Sequence, residues 1–261
     1  VLNQRLCLLR WLRRALRLCP HFVSQQFTPA LKTALKQQGI ARPLYDDTNL
    51  RELISFCSRK LQRPFDCRDV QFLQLFLQYC LIQHHLGNTP QFSPVQRNWT
   101  QSRGEYFTAQ EIVRHWKRRV PQGTHSDEQL FLALLFMMLR TPDPVLDKHQ
   151  QDQRLRRAIV RMIARFRAQT GMNFSDEQGL TDQLYVHLAQ ALDRSLFEIG
   201  IDNSLPEELH RRYPRLLRTT KEALFELEVE FGLRFSDEEM SLVAVSFGAW
   251  LMLESDLQEK Q

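Results

Sequence analysis

The segment Asp127-Glu128-Gln129-Leu130-Phe131-Leu132-Ala133-Leu134-Leu135-Phe136 returns 111 residues later as Glu238-Glu239-Met240-Ser241-Leu242-Val243-Ala244-Val245-Ser246-Phe247. In both copies an acidic pair opens an apolar helix. The stretches Leu75-Phe76-Leu77-Gln78-Tyr79 and Val186-His187-Leu188-Ala189-Gln190 share that offset, and both carry amphipathic helical patterns. Two separate pairs at one spacing mark a duplicated domain, and a fixed repeat outranks local readings of the fold. Between the copies the apolar pattern is kept and the polar chemistry is not. His187 aligns with Phe76, and that difference is the best functional clue in the chain.

Working outward from the repeat, 261 residues hold two domains of about 100 residues each and a leader of roughly 40. The hydrophobic share of 43% and charged share of 25% are ordinary globular values and argue against disorder. Glycine (9) and proline (11) are few, which favours helices over a strand-rich sandwich. In the leader, Leu6, Leu9, Leu12 and Leu16 recur at helical spacing over 4–19, and Pro20 ends the run. Pro29 sits in the first turn of a second helix that runs to Gly39. Asp47-Thr48 caps a third, with Pro64 as its stop. A long helix follows over 69–85, then a loop or broken helix over 90–104, then helices over 106–119 and 126–139. Thr141-Pro142-Asp143-Pro144 is the clearest boundary. Beyond it the pattern repeats over 152–168, 175–199, 207–213, 215–231 and 236–253. The expected fold is all-α: a basic helical leader or linker (1–45) and two tandem bundles of about five helices each, at 46–142 and 152–258.

Cys7, Cys19, Cys57, Cys67 and Cys80 are odd in number, form no Cys-x-x-Cys pair and show no zinc spacing. Buried thiols in a reducing cytoplasm are the expectation. The longest apolar runs, 130–139 and 242–253, fall short of the roughly 20 residues a membrane helix needs, so no membrane span and a cytoplasmic location are expected. The first residue is Val, which reads as a piece of a longer chain. The net charge of +5 is localised: Arg5, Arg10, Arg13, Arg14 and Arg17 fall in the first 20 residues without an acid. Such a cluster permits contact with nucleic acid or a membrane surface. A packed helix with a solvated arginine face is the stronger reading, since the leucines repeat cleanly and no recognition-helix signature accompanies them.

On the His187 helix, at about 100° per residue, Leu184, Leu188, Ala191, Leu192 and Ile199 cluster in one arc. His187 falls roughly 100° from the centre of that arc. Gln183, Gln190 and Arg194 share its flank. A core histidine would sit inside the arc, although flank histidines are common. The other histidines read as solvated or loop residues, and His84-His85, adjacent in sequence, cannot chelate one ion together.

The stretch Leu184-Tyr185-Val186-His187-Leu188-Ala189-Gln190-Ala191-Leu192-Asp193-Arg194 resembles the first histidine helix of the phosphotransferase-system regulation domain (PRD), which has an arginine seven residues on. That domain is found in duplicate in bacterial antiterminators and transcriptional activators. The resemblance continues through Asn203, Leu205 and Tyr213-Pro214 to Glu239–Ala249, similar to the second histidine helix. It covers about 152–258 closely and about 46–142 more weakly. It implies histidines that take phosphoryl groups from the phosphocarrier protein HPr or a sugar permease component. Three of the four implied histidine positions hold Phe76, Leu135 and Ser246, and His187 alone remains.

The resemblance therefore makes His187 the candidate phosphoacceptor and Arg194 its supporting donor fork. Neutral imidazole is the nucleophile, which suits a group with an ordinary pKa near 6.5. The acids Asp237, Glu238 and Glu239 read as a helix N-terminus favoured by the dipole. No phosphate loop, nucleophile elbow or paired carboxylates point to an enzyme, and no metal or cofactor is implied. Two functions from different classes stay open: a regulatory, transcription-factor-type module switched at His187, and a phosphorylation-independent interaction scaffold. A nucleic-acid or membrane role for the leader is a weaker third. A homodimer is expected from the resemblance alone.

Overall fold

A computed structural model describes residues 1–117 and 125–259, with side chains up to 252. Every regular element among the described residues is helical, and the chain divides into two compact units, Val1–Leu139 and Arg140–Gln261. The expected all-α architecture of two tandem bundles is what forms. No helix among the described residues is long and apolar enough to cross a membrane.

The first unit opens with α1 (Leu2–Leu18), which buries Leu6, Leu9, Leu12 and Ala15. Arg10, Arg13, Arg14 and Arg17 are exposed as expected, but Arg5 is fully buried. Helical winding resumes at once with α2 (Pro20–Phe22), a π-turn over Val23–Phe27 and α3 (Thr28–Gln37). The second helical run thus starts earlier than Pro29. Pro29 has no amide hydrogen and its ring crowds the preceding turn. The wide turn before it, closed by Thr28 N–H on the Val23 carbonyl, relieves that conflict without ending the helix. Both α1 and α3 pack on α5 (Cys67–His85), so the leader helps to build the core of the first unit.

Four more helices complete the first repeat: α4 (Asp47–Leu61), α6 (Pro94–Gln101), α7 (Gly104–Lys117) and α8 (His125–Met138). The N-cap of α4 is Asp46, one residue before the expected pair, and α5 starts two residues before Asp69 with Asp66 accepting from the Asp69 N–H. α6 lies inside the stretch expected as a loop or broken helix and is its helical part. Ser93 and Gln96 form a reciprocal capping box, and Pro94 supplies the preset first turn. The last two residues of the helix expected over 106–119 lie outside the described residues. α8 is buried on every side from Asp127 to Met137, the signature of a central helix.

The second unit repeats the plan with α9 (Gln150–Thr170), α10 (Glu177–Leu196), α11 (Leu205–Arg212), α12 (Pro214–Phe231) and α13 (Asp237–Glu259). α9 and α12 each end on a left-handed glycine, Gly171 at φ 70° and Gly232 at φ 65°, a conformation that would strain any side chain. α12 packs on α9 and α13, and α10 packs on α9 and α13. Phe166 of α9 stacks on Phe247 of α13 with ring centroids 4.0 Å apart. Cys57 and Cys80 are buried in the first unit as expected, whereas Cys7, Cys19 and Cys67 are exposed, against the expectation of buried thiols.

Candidate functional site

α10 is anchored by Asp176, whose carboxylate accepts from the Gly179 N–H, and by a core face of Leu180, Leu184, Leu188, Ala191 and Leu192. That face leaves His187 and Arg194 together on the flank, two turns apart, where α13 approaches. The first turn of α13 is set by Ser236, whose hydroxyl accepts from the Glu239 N–H. In a capping box the glutamate at this position would reach back to the cap. Glu239 instead crosses to α10.

Its carboxylate accepts from Arg194 Nε at 2.6 Å and from Arg194 Nη2 at 3.1 Å. The same carboxylate lies 3.8 Å from His187 Nε2. Glu239 is only 4% exposed at its side chain, against 21% for both His187 and Arg194. The three groups form a nearly dry pocket with one wet side. His187 Nε2 is enclosed and makes no hydrogen bond. Burial pushes the imidazole below its ordinary pKa; Glu239 pulls it up and Arg194 lowers it further. The neutral, nucleophilic form is therefore favoured at neutral pH. A second tie joins the same helices further along, where the Trp250 indole N–H donates to Gln183 Oε1.

The structure brings His187 and Arg194 together as expected, but the guanidinium fork faces Glu239 rather than open solvent. Glu239 is thus an ion-pair partner as well as a helix-terminal acid. Asp237, beside it in sequence, is exposed and pairs with Lys221 at 3.1 Å. Ser246 is half-buried, its hydroxyl donating to the Leu242 carbonyl. Phe76 and Leu135 are both core residues of the first unit, Phe76 being packed against the rings of Phe72 and Phe131.

The equivalent carboxylate of the first repeat, Glu128, has a different partner. Arg5 of α1 donates to it at 2.7 and 3.0 Å, with both side chains at 0% exposure. Arg5 also donates to the Asn88 carbonyl at 2.9 Å and lies over the Phe131 ring. His84 Nδ1 sits 3.7 Å from Glu128 and its ring is fully buried, which corrects the expectation of a solvated histidine. Burial lowers the His84 pKa to about 4, with His125, Arg5 and His85 acting in the same direction. Sequence reasoning missed both carboxylates, although the shared glutamate within the repeat was the signal that could have found them.

The PRD domain family matches this chain twice, at residues 51–138 and 160–250. The chain is also similar to the "Stationary phase-inducible protein CsiE" of Escherichia coli (strain K12), 62% identical over 261 residues. That match takes in 100% of this chain and 61% of the relative, so the chain spans about three fifths of the relative's length. No solved structure matches.

Proposed function

We propose, for a chain that belongs to the PRD family and is built as a regulatory module, that its one input is phosphorylation of His187. The donor would be a phosphohistidine of the phosphocarrier protein HPr or a sugar permease component, and the output would be a changed helix pairing inside the second unit. The observation that supports this most is the shared carboxylate: Glu239 holds Arg194 while facing His187.

A phosphoryl group on His187 adds up to about two negative charges next to that carboxylate. Each unit pair at about 4 Å is worth roughly 4 kcal/mol at an effective dielectric of 20, before desolvation. The phosphoryl oxygens and Glu239 then compete for the Arg194 fork. Either Arg194 turns to the phosphoryl group and the Glu239–Arg194 tie between α13 and α10 is lost, or Glu239 swings away. Both outcomes convert a chemical mark into a shift between two packings, as a phosphorylation switch requires. A homodimer and a place in transcription control are the settings in which such a shift would be read.

The loss of histidine at Phe76, Leu135 and Ser246, together with the commitment of Arg194 to Glu239, supports the scaffold as a second reading. In it the pocket is only a packing joint. One assay separates the two. The chain is incubated with labelled phosphoenolpyruvate, enzyme I and HPr, beside the His187→Ala variant. Acid-labile label present in the parent and absent from the variant is the expected result. Label that survives in His187→Ala would move the phosphoacceptor to another residue and overturn the role of His187, and no label with a full set of permease donors leaves the scaffold.

A further inference from the structure

An imidazole has two nitrogens, and the environment of His187 separates them. Nε2 is enclosed, lacks a hydrogen-bond partner and points at Glu239 Oε2 from 3.8 Å. Nδ1 is not enclosed in this way, and the side chain keeps 21% of its surface in solvent. We infer that Nδ1 is the nitrogen that takes the phosphoryl group, and that Glu239 is the positioning residue that selects it. The inference rests on the reading of His187 as phosphoacceptor.

Neutral imidazole carries one N–H, and the second nitrogen keeps the lone pair. A carboxylate facing Nε2 favours the proton there, so the lone pair is left on Nδ1, toward water. The arrangement follows the general rule that the partner of one ring nitrogen fixes the chemistry of the other. In the transfer, the Nδ1 lone pair forms a bond to the phosphorus of the donor's phosphohistidine. The donor N–P bond breaks, and its electron pair returns to the donor ring. His187 keeps its Nε2–H, so its ring gains positive charge as the new bond forms, and the donor ring loses the same charge. No proton has to leave either ring. Glu239 stabilises the charge that develops on His187, and Arg194 holds the carboxylate in place from its other side. Attack through Nε2 would need the reverse: a lone pair aimed at a carboxylate, and a phosphoryl group forced into an enclosed space beside a like charge.

Two measurements test the assignment. Long-range 15N–1H spectra of the unmodified chain report which His187 nitrogen holds the proton. The expectation is Nε2–H with an unprotonated Nδ1. In Glu239→Gln the His187 pKa falls and the preference between the two tautomers weakens. In Arg194→Gln, a second variant that keeps the carboxylate, the pKa rises while Nε2–H persists. A purely structural role for Glu239 would move neither signal. Phosphoramidate, a small donor that needs no carrier, is then applied, and antibodies specific for each phosphohistidine isomer read the product. The Nδ1 isomer, lost in His187→Ala, is expected. An Nδ1–H tautomer, the Nε2 isomer, or an unmodified His187 among modified surface histidines would overturn the inference. Nδ1 modification by phosphoramidate without transfer from HPr or permease proteins would sink the proposed donor and leave the atom assignment standing.

Discussion

Glu128 and Glu239 occupy the same place in the two repeats, and each receives a guanidinium from a different source. In the second unit the donor is Arg194, on the neighbouring helix of the same repeat, with an imidazole at its side and water on one face. In the first unit the donor is Arg5, which reaches back from the leader to a carboxylate 123 residues away, and no water touches either group. The position of His187 is filled there by Phe76, stacked into the core. One backbone frame thus supports a sealed joint and a joint that solvent can enter. Solvent access is the physical divide. A group that must change its charge needs water or a partner close by, and a fully desolvated pair holds one state only. The first repeat is built to hold, the second to respond.

The largest effect expected from this contrast is at Arg5. Arg5→Met leaves Glu128 as a buried charge without its cation, a class of change that costs about 3–5 kcal/mol. Urea unfolding of the variant should show that loss in the first unit. Arg5→Met combined with Glu128→Leu removes both charges and should recover most of the stability, because an apolar pair of similar volume fills the same space. A double variant no better than the single one would show that the pair is more than an offset charge, and the contrast between the joints would need another basis.

Acid should separate the units next. His84 has a pKa of about 4 in the folded chain against an ordinary value of 6.5, so the unfolded chain binds the extra proton first. Its contribution is fully present above the ordinary value and is lost as the pH falls from there through about 4. The difference amounts to about 3 kcal/mol across that window. In the second repeat the corresponding residue is Ser195, which does not titrate. Unfolding measured at steps from neutral to mildly acidic pH should steepen in the parent and flatten in His84→Gln. An unchanged slope in that variant would place the acid sensitivity elsewhere.

The repeat itself was legible because apolar residues in equivalent cores are held to one pattern, and its spacing carries α6 onto α11 residue for residue. The helix α6 nevertheless reads from sequence only as a loop or broken helix. Eight residues are too few for helical periodicity to stand out, and the capping box of Ser93 and Gln96 is too short a signal to set a helix apart from a loop. His187 and Arg194 were legible for a different reason: both lie on one helix, so their shared flank follows from about 100° per residue. Glu239 and Arg5 were not. Their roles depend on which helices meet, and no local pattern encodes a partner 45 or 123 residues away. An acid at a helix N-terminus satisfies the dipole wherever its side chain turns, and so the local reading of Glu239 concealed the tertiary one.

The smallest of these effects is the most discriminating. Arg194→Met breaks a pair that is partly solvated on the arginine side, so the loss should be about 1–2 kcal/mol, between the values for exposed and sealed pairs. Arg194 lowers the His187 pKa and Glu239 raises it, so without the guanidinium the imidazole titrates at higher pH. Protonated His187 then becomes the cation for Glu239. Burial still outweighs Glu239, so the variant's imidazole stays below its ordinary value but nearer to it than the parent's, and acidification costs the variant less stability than it costs the parent. The deficit of Arg194→Met should therefore be greatest near neutral pH and shrink on acidification. In Arg5→Met the imidazole beside Glu128 is His84, whose depressed pKa withholds its proton until the medium is more acidic. Two unfolding series against pH would show recovery beginning earlier in the Arg194 variant than in the Arg5 variant. Recovery at the same pH in both would mean that solvent reaches the two carboxylates alike, and the division between a holding joint and a responsive one would fall.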